Sequence, residues 1–190
     1  MALTPPDLLR AVAVVGLVPA LHFHGGVGLA VAFLALGGCF VPRALGSPVG
    51  FDALVCATAV LATWAALLDW YVALSWLDLA VHALLTGLVG VLAWQVVERA
   101  GLLVSRRDLP RARAAALLTT VTSATTLATL WEVGEWWGHT FLDPAIQVGQ
   151  TDTVTDLLAG FGGAVVAGLY VARTLVPAAA GSRPLPTVAA

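Results

Sequence analysis

Residues 77–97 read LDLAVHALLTGLVGVLAWQVV, an unbroken apolar stretch in which Asp78 and His82 are the only ionisable side chains. A helix that crosses the roughly 30 Å hydrocarbon layer needs about 20 predominantly apolar residues. The stretch therefore predicts a transmembrane helix. Ionisable groups inside such a span cost about 2.5–3.5 kcal/mol each at the bilayer centre and less toward the interface, so a retained pair points to function.

Five further runs of the same character lie at 8–21, 28–41, 53–70, 114–137 and 154–176. The first two are short, and only His22-Phe23-His24-Gly25-Gly26 separates them. They read as a tight hairpin of short spans, with one bent element as the alternative. The early charges Asp7 and Arg10, and the absence of a convincing cleavage site, argue against a cleavable signal peptide. The expectation is an all-α, polytopic bundle of about six transmembrane helices forming one domain over 1–176. Residues 177–190, rich in Pro and Ala, are expected to be a flexible cytoplasmic tail.

Composition agrees. The 190-residue chain is 59% hydrophobic and 11% charged, where soluble domains carry about 25% charged residues. So few charges cannot clothe a globule in water, which excludes a soluble enzyme. A net charge of −2 and a pI near 6.0 leave no basic footprint for nucleic acid. No nucleotide cofactor is expected. Cys39 and Cys56 are too few for a disulfide scaffold.

The charges are sorted by side. There is no lysine, and with six spans all nine arginines (Arg10, Arg43, Arg99, Arg106, Arg107, Arg111, Arg113, Arg173 and Arg183) fall on one face. The positive-inside rule makes that face cytoplasmic, puts both termini inside, and suggests a bacterial inner membrane. Trp70, Tyr71, Trp76, Trp131, Trp136 and Trp137 cluster toward the outer ends of the third to fifth spans, as an interfacial belt does.

The outward side receives Asp69, Asp78, Glu132, Glu135, Asp143, Asp152 and Asp156, with all four histidines, His22, His24, His82 and His139. Carboxylates without a local cation repel one another strongly at low dielectric. They need water, protons or a bound cation. Helical spacing groups them: Asp78 and His82 stand four apart, as do Asp152 and Asp156, while Glu132, Glu135 and His139 occupy an arc of roughly 60°. Facing helices that project carboxylates and imidazoles inward build metal sites. Asp78, His82, Glu132, Glu135, His139, Asp152 and Asp156 are thus candidate ligands, and the donor mix suits Zn, Mn or Fe. Glu132 and Glu135 are the candidates for catalysis.

Structural explanations compete at each position. Ser75 with Asp78, and Thr153 with Asp156, have the spacing of a capping box. His82 reads equally as an interhelical hydrogen-bonder, Asp69 and Asp143 as solvated loop acids, and His22 and His24 as loop histidines without a site. Thr122, Thr125 and Thr129 read as helix packing, as does the row Gly160-x-x-x-Ala164-x-x-x-Gly168. A faint echo relates Asp78-x-x-x-His82 with Gly87 to Asp152-x-x-x-Asp156 with Gly160.

At these residues the chain resembles the YjdF-type family of uncharacterised bacterial inner-membrane proteins. The likeness lies in Asp78-x-x-x-His82 with Gly87 and Glu98, Trp131-Glu132-x-x-Glu135-Trp136-Trp137, and Gly149-Gln150-x-Asp152-x-x-x-Asp156, over roughly residues 69–168. Thr151 stands where that family's pattern has a tryptophan, and the connecting loop at 138–149 differs. More distantly the pattern is similar to VanZ-like membrane proteins, which are linked to glycopeptide resistance. The resemblance implies a multi-helix membrane fold and marks the polar positions; it supplies no activity. Three functions follow as expectations: a metalloprotein acting as hydrolase or transferase on lipid or cell-envelope substrates, a non-catalytic structural or sensor protein, and a divalent-cation or proton transporter.

Overall fold

The computed structural model describes residues 3–102 and 111–176. The tail at 177–190 and Arg106, Arg107 and Arg183 lie outside them. The described chain is all helix and turn: α1 (Pro5–Ala44), α2 (Val49–Leu67), α3 (Trp70–Ala73), α4 (Ser75–Arg99), α5 (Ala112–Phe141) and α6 (Gln150–Tyr170), which ends in a π-helical turn, Val171–Leu175. Five of these elements, α6 taken with its π-helical turn to Thr174, are long and apolar enough to cross a membrane.

The first of them is long enough to cross twice. Gly25 adopts φ 61° and ψ −151°, which breaks the helix into arms at 5–24 and 26–44. Arg10 donates from Nε and Nη2 to the Cys39 carbonyl at 2.9 and 2.7 Å. A straight helix would hold residues 29 apart about 43 Å from each other, so the arms run antiparallel and α1 is a hairpin. The positive φ falls on a glycine, where no Cβ opposes it. Gly28 lets the arms meet at the corner, since a Cβ there would lie 2.7 Å from the Ala20 carbonyl. Counted this way there are six spans. The helices extend the predicted runs by a few residues, except that α6 ends at Tyr170, its π-helical turn reaching Leu175, and α2 stops at Leu67. The chain then bends through Asp69, at φ 57°, and Trp70 joins the single turn α3.

Every arginine among the described residues lies at one end of the bundle, and there the hairpin is pinned by charge. Arg10, 4% exposed, donates to Asp7 at 2.9 Å and to Asp52, which is itself buried in the first turn of α2. Arg43 also pairs with Asp7. Two guanidiniums and two carboxylates thus close one network across both arms and α2, with the Cys39 carbonyl inside it. Cys56 donates its thiol toward that same carbonyl at 3.5 Å. Neither the pairing of Arg10 with Asp52 nor its burial was legible from spacing.

The remaining helices pack through small residues. A Cβ on Gly163 would lie 1.8 Å from the Ala83 carbonyl oxygen, and one on Gly87 would lie 2.9 Å from the Gly163 carbonyl. The α4 and α6 backbones therefore almost touch, one turn below His82. The predicted small-residue row is an interface: Gly160 meets Thr86 of α4, Ala164 is buried, and Gly168 meets Leu117 of α5. The hydroxyls of Thr122 and Thr129 donate to carbonyls four residues back, at 2.7 and 2.9 Å, so they serve their own helix. Outside this core the surface is strongly apolar, with Leu8, Val18, Phe23, Leu118, Leu158 and Val166 all widely exposed, as a lipid-facing surface requires.

Two outcomes follow. Gly163→Ala should force α4 and α6 apart, a cost at or above the usual 1–3 kcal/mol of overpacking, read as a lowered midpoint of thermal unfolding in detergent. Asp52→Asn should cost about 3–5 kcal/mol by leaving Arg10 buried and under-paired, and the double variant Arg10→Leu/Asp52→Leu should recover part of that loss. Equal destabilisation by the single and double variants would show the network to be a bystander.

Candidate metal centre

The polar group at the opposite end is assembled by α4, α5 and α6. Helix α4 begins at Ser75 after Leu74, whose φ of −137° and ψ of 76° break the chain from α3, and no side chain caps it. Asp78 is therefore inside the helix, and its carboxylate faces His82 one turn on, at 3.5 Å from Nε2. Helix α6 begins at Gln150 with Gly149 as its cap residue. That start puts Asp156 nearly two turns inside, too deep to serve the free amides of the first turn. The capping-box explanation fails for Asp78 and for Asp156 alike.

His82 is the centre of the group. Its Nε2 lies 3.5 Å from Asp78 Oδ1 and 4.0 Å from Asp156 Oδ2, and its Nδ1 lies 3.7 Å from Glu132 Oε1 on α5. All three separations exceed a hydrogen bond. One ligand atom from each of Asp78, His82 and Asp156 lies within 4.8 Å of the others. Ligands held about 2.1 Å from a tetrahedral or octahedral ion are themselves about 3–4 Å apart, so the spacing is of the right order for a shared cation.

Burial sharpens the chemistry. Asp156 is 3% exposed, and its Oδ1 is buried with no hydrogen-bond partner among the described residues. A buried carboxylate oxygen left so is costly unless something positive or donating meets it. Glu132 is also buried. Asp152 and Glu135 stand within electrostatic range of the same acids. Asp78, Glu132 and Asp156 thus stand around the His82 imidazole with Asp152 and Glu135 in electrostatic range, and every described arginine is at the other end.

Of the seven predicted ligands, the structure sets Asp78, His82 and Asp156 within 4.8 Å of one another and Glu132 3.7 Å from His82, with Asp152 and Glu135 in electrostatic range. His139 lies toward the end of α5, where its Nδ1 meets the Ile146 carbonyl at 2.6 Å. Asp143 accepts from the Ala145 amide at 2.9 Å and shapes the following turn. Asp69 supplies the bend before α3, and His22 packs edge-on against Phe23 in the hairpin corner.

One neighbour was not foreseen. Tyr71 of α3 is half-buried within electrostatic range of Asp78, Glu135 and Asp156, and its hydroxyl donates to the Ala62 carbonyl at 3.2 Å. Burial, and then the adjacent carboxylates, push its phenol above the ordinary range. In the sequence it is one aromatic among several at a membrane boundary. Only the backward bend at Asp69 turns it inward.

Fold and site together define a polytopic α-helical membrane protein with a buried carboxylate–histidine group. The chain belongs to the family described as Predicted membrane protein (DUF2238), which matches residues 8–176 and so takes in the hairpin and α2 as well as the four later spans. No curated protein and no solved structure matches the chain.

The geometry gives a check of its own. Gly160→Val should press on Thr86 and α4, displacing His82 from Asp156 without removing a single polar group. Any cation affinity at the centre should then fall at least about tenfold, as when supporting contacts around a metal are lost, while Gly162→Ala, at an open position, should leave it unchanged.

Proposed function

We propose that the protein holds one divalent cation between Asp78, His82 Nε2 and Asp156, as a membrane metalloprotein whose acid-bearing end faces outward from a bacterial inner membrane. The observation that carries this is that Asp78, His82 and Asp156 each offer one donor atom within 4.8 Å of the others, while the second oxygen of Asp156, Oδ1, is buried without a hydrogen-bond partner among the described residues. Carboxylate and imidazole donors suit Zn, Mn or Fe.

In this reading Glu132 is not a ligand. Its Oε1 lies 3.7 Å from His82 Nδ1, so on cation binding it would move in to accept the Nδ1–H and leave Nε2 with its lone pair toward the cation, as carboxylates behind metal-bound histidines do. Three protein donors leave coordination positions for water and substrate, the arrangement of hydrolytic rather than structural sites. Glu135, one turn from Glu132, half-buried and in electrostatic range of Asp78 and Asp156, would take a proton from such a water. The reaction class is hydrolysis or group transfer on a lipid or cell-envelope substrate, and the likeness to YjdF-type and VanZ-like proteins supports an envelope setting.

Transport is the weaker reading. The charged group at the far end belongs to α1 and α2, and its members are paired among themselves. A cation taken up by α4–α6 would have to pass Gln95 and Glu98 on α4 instead, and Gln95 is already bonded to Ser47 and Arg99.

Elemental analysis of the purified, exchange-washed protein tests the proposal. The wild type should carry about one Zn, Mn or Fe per chain, and Asp156→Asn and His82→Ala should reduce this to background. Glu132→Gln should keep the ion but weaken it about 10–100-fold. A wild type without stoichiometric metal would overturn the proposal, and so would an Asp156→Asn variant with the same content.

A further inference from the structure

Residues 68–76 run from the end of α2 through α3 into the start of α4, and one side chain anchors them. Every residue of the segment is exposed except Tyr71, which turns inward. Tyr71 stands within electrostatic range of Asp78, Glu135 and Asp156, acids that belong to three different helices. Its hydroxyl donates to the Ala62 carbonyl of α2 at 3.2 Å.

The backbone is irregular on both sides of α3. Asp69 sits at φ 57° and ψ 26°, the one non-glycine residue with positive φ among those described, in a conformation that a Cβ disfavours. Leu74, at φ −137° and ψ 76°, breaks the chain again before α4. Between these points the amides of Ala73 and Leu74 donate to the Asp69 and Trp70 carbonyls at 3.2 and 2.8 Å. A single turn bracketed by two irregular residues has the build of a flap between hinges.

Asp156 is almost wholly buried, so a ligand that reaches it must move something aside. Helices α4 and α6 cannot part at that level, because their backbones all but touch between Ala83 and Gly163. Displacing residues 68–76 uncovers only one half-buried ring and breaks one side-chain hydrogen bond. Local opening selects the segment with the fewest buried contacts. Trp70 and Trp76 flank Tyr71 and are broadly exposed, as aromatic side chains at the head-group level are, so the segment opens into the wet interface.

We infer that residues 68–76 form a strap over the carboxylate–histidine group, latched by Tyr71, and that a ligand reaches Asp156 when the Tyr71–Ala62 bond opens. Tyr71 is then a positioning residue that controls the rate of entry. The inference rests on Asp78, His82 and Asp156 forming a functional site, as proposed above, and requires no particular cation there.

The test follows the reaction of Asp156 with dicyclohexylcarbodiimide in the full-length, chelator-treated protein in detergent, read by peptide mass spectrometry. Tyr71→Phe keeps the ring and removes the hydroxyl. It should speed the reaction about two- to tenfold, the range set by one hydrogen bond. Hydrogen–deuterium exchange at Ala73 and Leu74 should rise with it, while Val72→Ala, at an exposed position, should change neither rate. Alkylation of Cys39 and Cys56 by N-ethylmaleimide reports general loosening, since both are fully buried near the opposite end, and should stay at the wild-type rate. An unchanged Asp156 rate in Tyr71→Phe would overturn the inference. So would a rise shared by the two cysteines, or one without faster exchange in the strap. Excess Mn²⁺ should slow the Asp156 reaction in both proteins. Failure to do so would count against the metal alone and leave the strap standing, because the Tyr71 effect is measured without the ion.

Discussion

A carboxylate taken into the bilayer must be neutralised where it sits, because neither water nor distant charge can do it at low dielectric. This chain meets the demand in two ways at its two ends. At the arginine-bearing end Asp7 and Asp52 are matched by Arg10 and Arg43, and the network closes on itself. At the other end Asp78, Glu132 and Asp156 surround a single imidazole that cannot balance them. The first arrangement is complete with protein groups alone. The second leaves a buried oxygen of Asp156 without a partner among the described residues, and that asymmetry distinguishes the candidate site from the structural ion cluster.

The site depends on how closely α4 and α6 approach. Gly87 and Gly163 remove the side chains that would otherwise hold the helices apart, and Gly160 does the same against Thr86. His82 and Asp156 lie within a turn or so of this crossing, so the same contact that stabilises the bundle sets the distance between donors on different helices. Helix α5 then adds Glu132 behind the histidine. Within a lipid environment, where apolar burial does not drive helices together, such close packing is the main cohesive force. Stability and site geometry are therefore one variable here.

Much of the fold was legible in the sequence, because the hydrophobic runs are long and the arginines alternate with them. The six crossings, the Asp78/His82 pair on one helical face and the packing role of Gly160, Ala164 and Gly168 all follow from spacing alone. What spacing could not supply was depth and partnership. Asp156 read both as a candidate ligand and as a capping residue because the expected start of α6 lay four residues late; with the helix beginning at Gln150 it sits buried nearly two turns inside. His139 shares the helical arc of Glu132 and Glu135, yet the Ile146 carbonyl holds it in another environment, and a loop conformation of that kind has no periodic signature. Arg10 and Asp52 are 42 residues apart and meet only because Gly25 folds α1 back on itself.

That hairpin bears on how the protein is made. The four charges of the inner network all lie within the first 52 residues, and α1 packs on α2 while contributing little to the α4–α6 unit. The costly groups of the amino-terminal third can thus find their counter-ions as soon as the first three crossings have left the ribosome. The carboxylates of α4–α6 enjoy no such early settlement, since Asp78 and His82 enter the membrane well before Glu132 and Asp156 have been synthesised. The amino-terminal charges are thus balanced within their own third of the chain, whereas the acid group of α4–α6 needs the last helix for its completion.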